Sequence, residues 1–387
     1  MSLIVQKFGG TSVASIDRIK HVAKRIISER SQSNDVVVVV SAMAGVTNQL
    51  INWVHQSVDS LPDSAEYDVV VSSGEQVTSG LLSLVLSGLG QDARSFLGWQ
   101  LPIRTDAVYR KAQIQDIETT AIRQCLSEGN IPIVSGFQGV CDEGRITTLG
   151  RGGSDLTAIA LAAVLKADRC DIYTDVDGVY SADPRVVPQA HRLDYVHCDE
   201  MLEMAWQGAK VLQPESVAWG KRQGVPVWVR SSFHDGGGTC VSFKPSSAAT
   251  SGVTGIASNR NIAVFDGAQD LDKPALKSLL KTQHIHVEFV EDSNKFIVLS
   301  EDVMQAEALV AFEGMKIDRE RSMVSIVGTD VGLYKDLLAD YPGQFIESCD
   351  LRLGKIIPKS QEEDMVRCLH KQFISQKTDS TTERKVA

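Results

Sequence analysis

Asp35 is followed by five consecutive valines, Val36 to Val40, and then by Ser41. A strand with one wet face alternates apolar and polar residues, so an unbroken β-branched run predicts a strand covered on both faces. Such strands belong to parallel sheets with helices packed on either side. Residues 3–233 carry the alternation that this requires. Leu3–Phe8 is short and apolar, Gly9-Gly10-Thr11-Ser12 interrupts it, and Ile16–Ile27 has helical periodicity. Ala65–Leu89 reads as mostly helical and Leu156–Leu165 as an apolar helix. Ile131–Val134, Cys170–Tyr173 and Val225–Val229 read as short strands. The expected fold class is α/β, a mostly parallel sheet sandwiched by helices. Ligands in such sheets bind beyond the carboxyl ends of the strands. The polar and Gly-rich loops after Phe8, Val40, Val134 and Tyr173 all fall there.

At 387 residues the chain exceeds one ordinary core. Residues 235–252, rich in Gly, Ser and Pro, read as a linker between a domain at 1–234 and a C-terminal region. In that region the rhythm is ferredoxin-like. Strands are expected at Ile262–Phe265, Ile285–Val290 and Phe296–Leu299, with helices at Lys273–Thr282 and Val303–Phe312. The cycle restarts with strands at Ser322–Val327, Phe345–Cys349 and Gly354–Ile357 and helices at Val331–Leu338 and Glu362–Phe373. The expectation is two small α+β modules, 253–320 and 321–374, and a flexible tail at 375–387.

A net charge of -10 leaves no basic excess for phosphate backbones, which excludes a general nucleic-acid binder. No apolar run reaches the ~18 residues of a membrane span, and the N-terminal residues show no signal-peptide pattern. The seven cysteines are scattered and lack CxxC spacing. They read as buried thiols of a protein in a reducing cytoplasm, not as a disulfide framework or zinc site.

Several segments carry chemistry. Thr148-Leu149-Gly150-Arg151-Gly152-Gly153-Ser154-Asp155 sets three glycines, a cation and an anion before an apolar helix. Free N–H groups there suit an anion, and Arg151 can fork onto a carboxylate or phosphate; the alternative is a tight turn capped by Ser154 or Asp155. Lys7 with Gly9 and Gly10 is either a phosphate cradle or a strand-end turn, and no Walker A pattern occurs. Thr174-Asp175-Val176-Asp177-Gly178-Val179-Tyr180, with Asp183-Pro184-Arg185, either faces a nucleotide–Mg²⁺ complex or forms Asx turns. Ser73-Gly74-Glu75 puts a carboxylate in a helical region, ordinarily a solvated face. Gly208-Ala209-Lys210 either delivers a second lysine or ends a helix.

Taken together, KFGGTSV (7–13), VVSAMAGVTN (39–48), SSGE (72–75), SGFQG (135–139), TTLGRGGSD (147–155), YTDVDGVYSADPR (173–185), GAKVLQP (208–214) and VRSSF (229–233) resemble an aspartokinase of the amino-acid kinase family. The C-terminal modules resemble that family's paired ACT domains. The resemblance implies transfer of the ATP γ-phosphoryl group to the side-chain carboxylate of L-aspartate, opening aspartate-family amino-acid biosynthesis. It implies that Lys7 and Asp155 are catalytic. Ser41, Thr47, Glu75, Arg151, Gly152 and Ser154 would bind aspartate, Arg151 its α-carboxylate and Glu75 its α-ammonium. Lys7, Gly9, Gly10, Thr174, Asp175, Tyr180, Asp183, Arg185 and Lys210 would bind ATP. Mg²⁺ would arrive with ATP, with no dedicated protein site, and the modules would join a homodimer or higher homo-oligomer.

Two departures stand beside these motifs: Leu156 where the family usually carries threonine, and Gln213 where it usually has histidine. In the modules, Asp272-Lys273-Pro274-Ala275 and Asp330-Val331-Gly332-Leu333 lack the family's Pro-Gly helix start, which implies weak feedback control. The alternatives are a kinase for glutamate, acetylglutamate or a nucleoside monophosphate, and a non-catalytic amino-acid sensor.

Overall fold

In the computed structural model the valine run is the strand Asp35–Val40, and the first strand, Leu3–Phe8, lies parallel beside it with Lys7 opposite Val39. The structure describes residues 2–58, 65–209, 211–243, 252–267, 271–310 and 315–375. These form two units. The first is Met1–Val179, Asp194–Cys198 and Val211–Pro245; the second is Tyr180–Leu193, Asp199–Lys210 and Ser246–Ala387.

The first unit is organised by an eight-stranded sheet. Its order is Tyr195–His197, Thr239–Ser242, Val227–Ser231, Arg169–Thr174, Leu3–Phe8, Asp35–Val40, Ile131–Ser135, Ala93–Phe96. All neighbours are parallel except Val227–Ser231 and Thr239–Ser242. Thr239–Ser242 lies inside the stretch read as a linker: it is the second strand from the sheet's edge, antiparallel to Val227–Ser231, and enters from Gly238 at φ 77°.

Both faces of the valine strand are covered. Val36, Val38 and Val40 pack with Ile19, Val22 and Ile26 of the helix Ile16–Arg30 and with Leu82 and Leu86 of the helix Ser73–Gly88. Val37 and Val39 are equally buried and point to the other face, where the helix Gly153–Leu165 packs. That helix is apolar all round because sheet and neighbouring helix enclose it.

Ala65–Gly88 is 24 residues long and holds an 18-residue window with a mean hydropathy of 1.4, the length and composition of a membrane span. This differs from the expectation that no apolar run reaches the length of a span, since charged residues are few within that window. The stretch is a core element of this unit, with Asp68, Glu75, Thr78 and Ser79 buried on it.

The second unit holds two four-stranded antiparallel sheets. One is ordered Val253–Asn259, Arg321–Gly328, Arg352–Pro358, Gln344–Phe345; the other Glu288–Phe289, Lys295–Leu299, Ile262–Asp266, Lys316–Asp318. The modules are therefore interleaved and not in tandem. Val253–Asn259 opens the stretch assigned to the first module yet pairs along Arg321–Gly328 of the second, because Val253 and Ile256 are buried with Val324, Ile326 and Leu353. The two sheets meet edge to edge at a Val290–Ile346 bridge, with Glu291 N–H donating to Phe345 O and Glu347 N–H to Phe289 O.

Residues 180–193 and 199–210, read as part of the first domain, belong to this unit, where Ala182 and Val187 join the core of Met365, Val366 and Leu369. The expected tail begins at Ser375, the last described residue. The thiols differ from expectation too: Cys125, Cys141, Cys170 and Cys198 are buried, whereas Cys349 and Cys368 are exposed.

Candidate active site

Lys7 sits one residue before the end of the central strand, and its Nζ lies 2.5 Å from Asp155 Oδ1. Both side chains are about a tenth exposed, at 9% and 11%. Asp155 stands in the first turn of the helix Gly153–Leu165, where the helix dipole favours an anion. Neither Ser154 nor Asp155 caps that helix. The cap is Gly152 in the left-handed region at φ 71°, and a side chain there would collide with Gln213. So the Gln213 departure is a contact with the glycine loop itself. Leu156, the other departure, is buried in the same helix.

The loops after the strands close round this ion pair. Gly9 N–H donates to Tyr173 O at 3.0 Å, and Ala44 N–H to Gly10 O at 3.1 Å. Ser41 N–H donates to Phe8 O, carrying the valine strand's register into its loop. Gly136 follows the strand Ile131–Ser135, and a Cβ on it would lie 2.7 Å from Ser154 Cβ. Only glycine lets this loop touch the start of the helix.

Glu75 is buried at 3% exposure, so the solvated-face reading fails. Its Oε1 accepts from Ala42 N–H at 2.9 Å, while its Oε2 is buried without a hydrogen-bond partner among the described residues. Burial pushes its carboxyl up to about 7, against the opposing pulls of the Ala42 N–H and the Lys7 charge. Ser135 Oγ donates to Glu75 O and lies 2.8 Å from Ser79 Oγ. Lys7, Asp155, Ser154 and Glu75 are thereby tied to one end of the sheet. Ser41 and Thr47 are half-buried beside them on the loop and helix after the valine strand. Arg151 is exposed in the loop ahead of the helix.

Thr174 ends its strand beside Ser231, and its hydroxyl donates to Asp175 Oδ1 at 3.2 Å. Tyr180, Asp183 and Arg185 lie in the second unit, where the Arg185 guanidinium grips the Asp183 carboxylate with Nε at 3.0 Å and Nη2 at 2.7 Å. Lys210 lies outside the described residues. Among the described residues no three carboxylates gather within reach of a common ion. A Mg²⁺ carried on triphosphate oxygens needs only one or two carboxylates, and exposed Asp175 at the strand end offers the hard oxygens it prefers.

Sequence reasoning missed Asp68. Fully buried, it accepts from Arg110 N–H, from Thr148 N–H at 2.8 Å and from Thr148 Oγ1 at 2.8 Å. Burial raises its carboxyl above the usual range. It fixes the strand Ile146–Thr148 that launches the Gly150–Asp155 loop. The signal was a carboxylate directly before an apolar run, Asp68-Val69-Val70-Val71, since buried acids are rare unless partnered.

A model of the amino acid kinase family matches residues 2–231. The aspartokinase of Geobacillus stearothermophilus is 41% identical over 96% of this chain and 97% of its own. The aspartate kinase of Pseudomonas putida is 41% identical over 96% and 98%. Among solved structures, E. coli aspartokinase III in complex with aspartate and ADP superposes with a TM-score of 0.79 at 26% identity, covering 95% of this chain and 99% of that one.

Proposed function

This chain belongs to the amino acid kinase family, and on that premise we propose that it is an aspartokinase, transferring the ATP γ-phosphoryl group to the side-chain carboxylate of L-aspartate. The carrying observation is a buried cation and a buried carboxylate with one unsatisfied oxygen, Lys7 and Glu75, at the same strand ends. One sign suits a transferring phosphoryl group, the other an α-ammonium. A zwitterionic acceptor fits them better than a nucleoside monophosphate. A sensor without turnover has no use for the Lys7–Asp155 pair.

The attacking carboxylate oxygen of aspartate forms a bond to the γ-phosphorus, and the bond from that phosphorus to the β–γ bridging oxygen breaks. The products are 4-phospho-L-aspartate and ADP. The acceptor is already ionised at neutral pH, so no base is needed. Positioning and charge neutralisation do the rest. Lys7 faces the charge that builds on the phosphoryl oxygens. Asp155 holds the Lys7 ammonium in place. Glu75 Oε2 receives the substrate ammonium, Arg151 its α-carboxylate, and Ser41, Thr47, Gly152 and Ser154 line the same acceptor site. By the family resemblance Gly9, Gly10, Thr174, Asp175, Tyr180, Asp183, Arg185 and Lys210 bind the nucleotide. Asp175 would hold a Mg²⁺ carried on the phosphates, which would supply further charge neutralisation.

The modules of the second unit are ACT-like in this reading. They join a homo-oligomer in a cytoplasmic enzyme of amino-acid biosynthesis under weak feedback control. The test is ADP release with L-aspartate, L-glutamate, N-acetyl-L-glutamate and UMP as acceptors. Release with L-aspartate alone supports the proposal, and release with another acceptor alone, or with none, overturns it.

A further inference from the structure

Residues 180–193 are held by the C-terminal helix Glu362–His370 on three counts, all within the second unit. Ala182 and Val187 are buried against Met365, Val366 and Leu369. Arg367 Nε donates to Val186 O at 3.1 Å. The buried hydroxyl of Ser181 lies 3.0 Å from Nε2 of buried His370, whose Nδ1 lies 3.3 Å from Ser375 Oγ. Ser181 is itself a junction. Its N–H donates to His191 O, its carbonyl accepts from Ile256 N–H at 2.8 Å, and its hydroxyl accepts from His191 N–H at 3.2 Å.

The held segment is short and bears the nucleotide candidates. Tyr180 precedes Ser181 directly. Asp183 and Arg185 lie between Ser181 and Val186, the two points gripped by His370 and Arg367. Asp183 O accepts from the Val186 and Val187 N–H groups. The turn's backbone is pinned at both sides, and the exposed Arg185 guanidinium is tied to it through the Asp183 carboxylate. Unpinned, the same turn would pay ordering entropy on meeting a ligand.

We infer that Arg367 and His370 are positioning residues for ATP: by pinning Val186 and Ser181 they set the turn that carries Tyr180, Asp183 and Arg185. This rests on the proposed kinase activity and deepens it. The consequence is selective. On this inference loss of the helix contacts affects ATP and spares aspartate, although the contacting residues lie 181 and 189 positions apart in sequence.

The experiment measures KM for ATP and for L-aspartate, with kcat, in the full-length protein. Arg367 is exposed, so Arg367→Ala leaves the core intact. It is expected to raise KM for ATP about three- to tenfold, the worth of one lost hydrogen bond plus added disorder. KM for aspartate should stay within about twofold. His370→Ala should act in the same direction, and His370→Gln, which keeps a polar atom near the Nε2 position, should restore most of it. Arg260→Ala is the control. Arg260 pairs with Glu362 and with Glu363, a residue Arg367 also pairs with, and among the described residues not with 180–193, so its loss should leave both KM values unchanged.

Equal rises in both KM values, or a rise in Arg260→Ala matching that of Arg367→Ala, would mean general loosening and would overturn the inference. So would an unchanged KM for ATP in both Arg367→Ala and His370→Ala, with the kinase reading left standing. Unaltered protein that shows no aspartate-dependent ADP release would instead remove the kinase reading and this inference with it.

Discussion

Lys7 Nζ and Asp155 Oδ1 stand 2.5 Å apart where the central strand meets the helix Gly153–Leu165. The pair joins a residue near the start of the chain to one almost 150 positions later. It holds a cation at the strand ends, which in the proposed reaction would need no reorganisation at the moment of transfer. Preorganised charge is usually the largest single contribution to such reactions.

Lys7→Ala should therefore lower kcat by about 10²–10³. Burial of the neighbouring valines is untouched, so the far-UV circular dichroism spectrum should match that of the unaltered protein. Near-normal turnover in the purified variant would remove Lys7 from the reaction.

Glu75 makes the acceptor side pH-dependent. Its carboxyl titrates at about 7, so below that pH it is neutral and cannot hold an ammonium. At saturating MgATP, kcat/KM for aspartate should fall as pH drops through about 7, since this ratio reports groups of the enzyme before aspartate binds. Glu75→Gln should be low throughout and lose that limb. The sign reverses for stability. The folded protein keeps on Glu75 a proton that the unfolded chain gives up at its ordinary, lower pKa. This contribution is present in acid and is lost as pH rises through about 7. A pH profile of kcat/KM with no acid limb near 7 would contradict the assigned role.

Arg151→Lys keeps the charge and loses the planar fork. It should raise KM for aspartate with little change in KM for ATP. Equal KM values for aspartate in the two proteins would show that Arg151 does not read that carboxylate.

The stretch that sequence reasoning passed over has its own test. Asp68→Ala strands the Thr148 and Arg110 N–H groups without acceptors, and burial of unpaired donors costs about 1–3 kcal/mol each. A loss of roughly 3 kcal/mol in urea unfolding is expected, whereas Asp68→Asn, which keeps an acceptor oxygen, should lose less. Equal stability of Asp68→Ala and the unaltered protein would contradict this structural role.

The strand pattern shows which parts of this molecule local sequence can reveal. Val36–Val40 announced a doubly covered parallel strand because five β-branched residues leave no wet face. The glycine loops announced themselves because Gly136 and Gly152 stand where a Cβ has no room. What stayed hidden is non-local. The side sheet of Ile103–Thr105, Ile114–Ile117, Gln138–Val140 and Ile146–Thr148 is made of three- and four-residue strands, too short for a period to register. Val253–Asn259 reads like any other strand, and nothing in its own residues says that its partner is Arg321–Gly328. Glu75 looked like a surface acid, because its burial is set by Ala42 and Ser135 from two other loops.

Feedback is expected to be weak. At the junction of the two small sheets Lys273 Nζ lies 2.5 Å from Glu347 and 5.2 Å from the centre of the Phe289 ring. Lys335 repeats the arrangement with Glu291 at 2.8 Å and Phe345 at 5.3 Å. The modules thus meet through two matching lysine–glutamate pairs. An effector must favour one state over the other to regulate, and at this junction it would first have to break such a pair. Lysine and threonine at saturating concentration, singly and together, should leave most of the activity. Strong inhibition by either would contradict this.

The product itself is the most direct test. An acyl phosphate is captured by hydroxylamine as a hydroxamate, which a phosphate ester or a simple ATPase does not give. With ATP, Mg²⁺ and L-aspartate the protein should form aspartyl β-hydroxamate in step with ADP, and Lys7→Ala should form almost none. ADP release without hydroxamate, or hydroxamate formation that ignores L-aspartate, would contradict the assignment of the side-chain carboxylate as the phosphoryl acceptor.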